Sequence, residues 1–220
     1  MNKKLKRIMA YIFMPLFFTI IGYGIVYVAA LPILDVISSY GSLIISSNAP
    51  NFDNDQLKSI FEAPVNKEDR ATIPASEVTM PTSGTLYAHI SCNKVGLDAP
   101  VYFGDSDTIL KNGVGQYSGS SIPGFGLPIL LAGHNTTYFL PLQGIEVGDI
   151  VTITTSYGIY KYQITATKIV SKNLASAYNL SQKKEQLIMY TCYPFNMLGT
   201  LANRYFVYGD KISGPVIDFN

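Results

Sequence analysis

The sequence is poor in the side chains that do chemistry. Its 220 residues include two cysteines and two histidines, so a nucleophile, a base or a metal site has few candidates. Charge is scarce as well. Asp, Glu, Lys and Arg make up 14% of the chain, and sixteen basic against fifteen acidic residues leave a net charge of +1. With no excess of Lys and Arg to neutralise phosphates, nucleic acid is excluded as a partner. The chain has no repeat of solenoid length and no low-complexity segment. What it does have suits strands and turns: sixteen tyrosines, eighteen glycines and twelve prolines. The length allows one domain with a proper core plus an appendage.

The appendage is N-terminal. Lys3, Lys4, Lys6 and Arg7 precede an uncharged apolar stretch from Ile8 to Leu34, and the next charge is Asp35. At about 1.5 Å per helical residue, some 20 residues of this run would cross a hydrocarbon layer of ~30 Å. The basic cluster predicts a cytoplasmic N-terminus with everything after the span outside the cell. A cleaved signal peptide ending near Val28-Ala29-Ala30 is the competing reading. The run is longer than a signal core of roughly 7–15 residues, and no clean small-x-small site ends it. Residues 1–34 therefore read as a cytoplasmic tip and single-pass membrane anchor. Residues 35–83, rich in Ser, Asn, Asp and Pro, read as an extracellular linker without core periodicity. A short helix over Asp53–Glu62, capped by Asn51 or Asp53, is expected there.

From residue 84 to 220 the pattern is one of short alternating strands and turn signals, which predicts an all-β domain with a closed or nearly closed barrel. In "LYAHISCN" Leu86, Ala88, Ile90 and Cys92 share one face, and Tyr87, His89 and Ser91 the other. "PVYF" at 100–103 is a second strand. "PILLAGH" at 128–134 is apolar throughout, which suits a strand covered on both faces. Residues 149–170 read as a hairpin turning at 156–158, and "QLIMYTC" and "RYFVYGDKI" supply two more strands.

The chemistry-bearing residues separate by position. Cys92 lies mid-strand on an apolar face, where a free cysteine behaves as a small hydrophobe. Cys192 ends its strand and enters the loop 193–203, so it is open to two readings, nucleophile or structural residue; outside the cell the two thiols could also pair. A free thiol with a pKa of about 8.5 needs a base or a positive neighbour to react at neutral pH. His89 reads as a solvated strand residue. His134, like Cys192, stands at a strand terminus. Arg204 opens the strand after the cysteine loop, and antiparallel pairing of "QLIMYTC" with "RYFVYG" would make it a neighbour of Cys192. Its guanidinium could stabilise an oxyanion, or it could be an ordinary edge arginine paired with a surface carboxylate.

Taken together, "LLAGHNTTYF", "YTCYPF" and "NRYFVYGDKI" resemble the sortase family of Gram-positive cell-surface transpeptidases. The likeness extends over about residues 84–212, from "GTLYAHISCNKVGLDAPVYF" through "IEVGDIVTIT". It implies a sortase-type barrel of about eight strands with short helices. It also implies an enzyme that cleaves an LPxTG-like sorting signal after threonine, holds the peptide as a thioester on cysteine, and passes it to an amine of peptidoglycan or its precursor. By motif match Cys192 would be the nucleophile, His134 the general acid/base, and Arg204 the residue that supports the oxyanion.

"TCYPFNMLGTLANRY" is similar to the class D sortases. The polar "GDKISGPVIDFN" and the absence of an Asp-Pro-aromatic motif in the linker disfavour a pilus-building member. Asn135 stands where many members have arginine, and Tyr190 where leucine or serine is common. The loop "SKNLASAYNLSQKKEQ" corresponds to the wall of the family's signal pocket, so Leu174, Ala175 and Tyr178, with Thr191, are the implied substrate contacts. No cofactor is implied. Glu185 is the only carboxylate in that loop, so no metal is expected. Other classes consistent with the residues are a hydrolytic cysteine protease and a noncatalytic surface-binding barrel.

Overall fold

The computed structural model describes residues 11, 13–29 and 70–219. Residues 13–29 are helical and exposed along their length. Among the described residues no helix is long and apolar enough to cross a membrane. The basic cluster at 3–7, both ends of the apolar run and the helix expected over 53–62 lie outside the described residues.

The remaining described residues form ten strands: β1 (Thr72–Pro74), β2 (Leu86–Cys92), β3 (Leu97–Phe103), β4 (Val114–Gln116), β5 (Ile129–Ala132), β6 (Ile150–Thr155), β7 (Ile159–Ser171), β8 (Gln186–Tyr193), β9 (Asn203–Ser213) and β10 (Val216–Asp218). Eight of them close into a barrel in the order β2-β3-β4-β5-β8-β9-β7-β6, while β1 and β10 pair parallel in a sheet of their own. Closure leaves the barrel without unpaired edges. A single-turn helix, Asp107–Asn112, and short 3-10 turns at Leu140–Gly144 and Ala175–Ala177 decorate it.

The alternation visible in the sequence sets which side chains point inward. In β8, Leu187, Met189 and Thr191 are buried toward the barrel axis, which turns Ile188, Tyr190 and Cys192 to the outside. β5 is buried at all four positions. Ile129 and Leu131 belong to the interior, and Leu130 packs in a second cluster outside the barrel wall with Ala177, Ile188 and Phe206. The continuous apolar run "PILLA" is thus explained by cover on both faces.

Two elements depart from the sequence expectation. The β2 alternation breaks at a register shift between Leu86 and Ala88, which turns Tyr87 inward at 7% exposure. Its hydroxyl bonds the side-chain oxygen of the buried Gln116, whose Nε2 donates to the Ser121 carbonyl at 2.9 Å. In the expected linker, Ile73 on β1 is 2% exposed and belongs to the main core. It pairs with Ile217 of β10. A three-residue strand carries too few positions to register as a period. A soluble fragment cut at Pro81 would lose this core residue.

Glu185, the one carboxylate of the loop before β8, is a structural anchor. At 6% exposure it accepts from the backbone N–H groups of Gly124 (3.2 Å) and Gly126 (3.1 Å), from the Tyr162 hydroxyl (2.7 Å) and from Lys211 Nζ (3.3 Å). It ties the start of β8 to the Gly124–Gly126 turn and the end of β9. Glu185→Ala leaves four donors without their acceptor. The expected loss is about 3–5 kcal/mol of stability, read as a shift in the urea midpoint.

Candidate active site

Two paired strands, β8 and β9, and the segment that leaves β5 carry the three singled-out residues in a row. β8 and β9 pair antiparallel with Cys192 opposite Arg204. On the other side, β5 pairs parallel with β8, Ala132 opposite Tyr190. The pairing continues past the strand end: Gly133 N–H donates to the Tyr190 carbonyl at 3.3 Å, and the Thr191 hydroxyl donates to the Gly133 carbonyl at 2.6 Å. His134 follows Gly133, two residues past the last paired position, Ala132. Adjacent strands lie about 4.8 Å apart, so Arg204 is one strand from Cys192 on one side, and the segment that leads to His134 is one strand away on the other.

Local chemistry fixes each position. Gly133 leaves room for the Phe139 ring, because a Cβ there would lie 2.7 Å from it. The His134 carbonyl accepts from the N–H groups of Thr137 (3.3 Å) and Phe139 (3.1 Å), which winds the following turn around it. The imidazole is half-buried, and burial pulls its pKa below the usual histidine value. Lys111 adds to that direction and Asp107 opposes it. The neutral form, able to accept a proton, therefore prevails at neutral pH.

Cys192 is half-buried and free, whereas Cys92 is 3% exposed within the core and also free. Arg204 is half-buried. Its Nη1 donates to the carbonyls of Leu201 and Asn203, both at 3.0 Å, and among the described residues it makes no ion pair. Those bonds orient the guanidinium and leave Nε and Nη2 to a ligand.

The outer face beside the row is aromatic. Tyr190 stacks on Phe206 (5.3 Å between ring centres), and Phe206 in turn on Tyr208 (6.1 Å) and Tyr178 (6.3 Å). Leu174 and Tyr178, 48% and 38% exposed, wall a cleft of about 470 Å³ floored by Val170, Ala166 and Tyr208. Val170 is the register partner of Arg204, so the cleft begins one strand beyond the row. Ala175 lies in the 3-10 turn of this wall.

Thr191 is a correction. It was expected to touch substrate, but it points into the barrel at 2% exposure with its hydroxyl spent on Gly133. Its place in β8 puts it on the opposite face from Cys192. His89 likewise departs from a solvated residue. Its side chain is 15% exposed and lies 3.0 Å from an Asp98 oxygen. Tyr190 and Asn135 were noted in the sequence only as departures from family habit. The structure places one in the aromatic floor and buries the other at 5% exposure beside His134. No sequence signal separates a floor tyrosine from any other outward strand residue. Among the described residues no three His, Cys, Asp or Glu side chains stand close enough to hold a metal ion.

This geometry can be set beside known proteins. The sequence profile of the sortase domain matches residues 90–212. The chain belongs to the sortase family. It is 35% identical to Sortase D of Bacillus subtilis (strain 168) over 148 residues, 67% of this chain and 74% of that protein. The structure is similar to that of sortase C1 from Streptococcus agalactiae, with a TM-score of 0.54 at 26% identity, over 61% of this chain and 70% of that one. It also resembles the Clostridium perfringens Sortase D5 transpeptidase in fold, with a TM-score of 0.57 at 22% identity, over 72% of this chain and 98% of that one. Sortases are cysteine transpeptidases, and this sortase is one. The noncatalytic surface-binding barrel and the purely hydrolytic protease are thereby set aside.

Proposed function

We propose that this sortase cleaves an LPxTG-like sorting signal after its threonine and transfers the new acyl end to an amino group of peptidoglycan or its precursor. The observation that carries the proposal is the pairing that sets Cys192 opposite Arg204 on β8 and β9 and brings the segment before His134 alongside β8. With Cys92 enclosed in the core, Cys192 is the thiol a peptide can reach.

The Cys192 proton passes to the neutral imidazole of His134, and the sulfur attacks the threonine carbonyl carbon. Negative charge gathers on the carbonyl oxygen, and the guanidinium of Arg204 stabilises it there with its N–H donors. As the C–N bond breaks, the imidazolium returns its proton to the leaving glycine amine, and a thioester remains on Cys192. The acceptor amine then loses a proton to His134, adds to the thioester carbon and expels the thiolate. The imidazolium then returns that proton to the Cys192 thiolate, which restores the starting state.

Residues upstream of the threonine run past Tyr190, Leu174 and Tyr178, with both tyrosine rings resting on the buried Phe206. Flat rings favour an apolar first residue of the signal. The basic cluster followed by the uncharged run from Ile8 to Leu34 supports a single-pass anchor with the barrel outside the cell.

Incubating the detergent-solubilised chain with LPxTG-type peptides and candidate amines tests this reading. Mass spectrometry should find the peptide, ending in threonine, on Cys192 and then on the amine. An adduct on another residue, or release of the free acid alone in the presence of amine, would contradict it.

A further inference from the structure

Asn135 follows His134 directly, yet its side chain serves the loop after Cys192. The carboxamide Nδ2 donates to the Pro194 carbonyl at 2.7 Å and to the Met197 carbonyl at 3.1 Å. In the other direction, Asn196 N–H donates to the Asn135 main-chain carbonyl at 3.4 Å. Three hydrogen bonds thus join the segment after the imidazole to the segment after the thiol. A carboxamide has two N–H donors on one nitrogen, which is what two converging carbonyls require.

The receiving loop is shaped to present those carbonyls. Asn196 adopts φ +56, the left-handed region, so the chain curls between Pro194 and Met197. Apolar burial does not hold this curl on its own, because Met197 and Leu198 are each 50% exposed. Phe195 gives one anchor, packing edge-on against Tyr205 at 5.2 Å. Asn135 gives the other. His134 is therefore tied to the strand of Cys192 on both sides: through Gly133 to Tyr190 and Thr191 before it, and through Asn135 to Pro194 after it.

We propose that Asn135 is a positioning residue that fixes the reach of the His134 imidazole to the Cys192 thiol by locking the two loops together. This rests on the roles given to His134 and Cys192 above. Proton transfer needs heavy atoms about 2.6–3.2 Å apart, and a misplacement of about 1 Å can cost roughly 100-fold in rate. A serine hydroxyl is too short to span both carbonyls, and an aspartate has no N–H to give.

The test compares wild type, Asn135→Ala, His134→Ala and the double variant. Alkylation of Cys192 by iodoacetamide, without peptide, reads the His–Cys contact directly. Asn135→Ala should slow it about tenfold when His134 is present and leave it unchanged in the His134→Ala background. In turnover of a sorting peptide, kcat should fall about 10- to 100-fold while KM stays within about twofold. Asn135→Ser, which cannot clash, should move in the same direction, with thermal unfolding confirming the barrel in each variant.

A folded Asn135→Ala or Asn135→Ser enzyme with wild-type kcat overturns the clamp. So does a slowing of alkylation that is equal with and without His134, which would mark a general structural role. Both outcomes leave the assignment of Cys192 standing. That assignment fails separately if Cys192→Ala still forms the peptide adduct.

Discussion

Cys192→Ala is expected to abolish both the acyl adduct and peptide transfer, a loss of about 10⁴-fold or more in kcat/KM. A thioester cannot form without the sulfur, and the other two side chains of the row, an imidazole and a guanidinium, cannot replace it. The matched control is Cys92→Ala. Cys92 is 3% exposed inside the barrel, so its removal trims core volume, at about 1–2 kcal/mol, and leaves the chemistry intact. Intact mass after incubation with peptide distinguishes the two. An adduct that survives in Cys192→Ala and vanishes in Cys92→Ala would reverse the assignment.

Arg204→Lys is expected to lower kcat/KM by about 10²- to 10³-fold even though the charge is kept. The guanidinium is steered by two carbonyls of its own loop, Leu201 and Asn203, which take up Nη1 and aim the rest of the fork. An ammonium on a flexible stem can satisfy those carbonyls or meet the oxyanion, but it lacks the fixed geometry to do both at once. Steady-state kinetics should place the loss mainly in kcat, as for a donor that works in the transition state. Full turnover by the lysine variant would remove the oxyanion role. It would leave the arginine as an ordinary strand-end residue.

Much of the fold was legible because strand periodicity is local. The hairpin of β6 and β7 and the doubly covered β5 follow from which neighbours are apolar. Where one extra residue enters a ladder, local reading fails: the shift between Leu86 and Ala88 turns Tyr87 inward, against the alternation. Where a contact spans most of the chain, it fails as well. Ile73 enters the core beside Ile217, 144 positions later in sequence, through strands too short to show a pattern.

The site divides in the same way. By itself the sequence determined the candidates, since two cysteines and two histidines leave little choice, and it determined that Cys192, His134 and Arg204 stand at strand ends. Only the tertiary structure decided that Cys192 lies opposite Arg204 with β5 on the other side of β8, that Thr191 faces the interior, and that Asn135 reaches across to Pro194 and Met197. The physical reason is the range of the interactions. Side-chain alternation is set by a residue's immediate neighbours along the chain. Register between β5 and β8, and a hydrogen bond from residue 135 to residue 194, exist only once the barrel has closed.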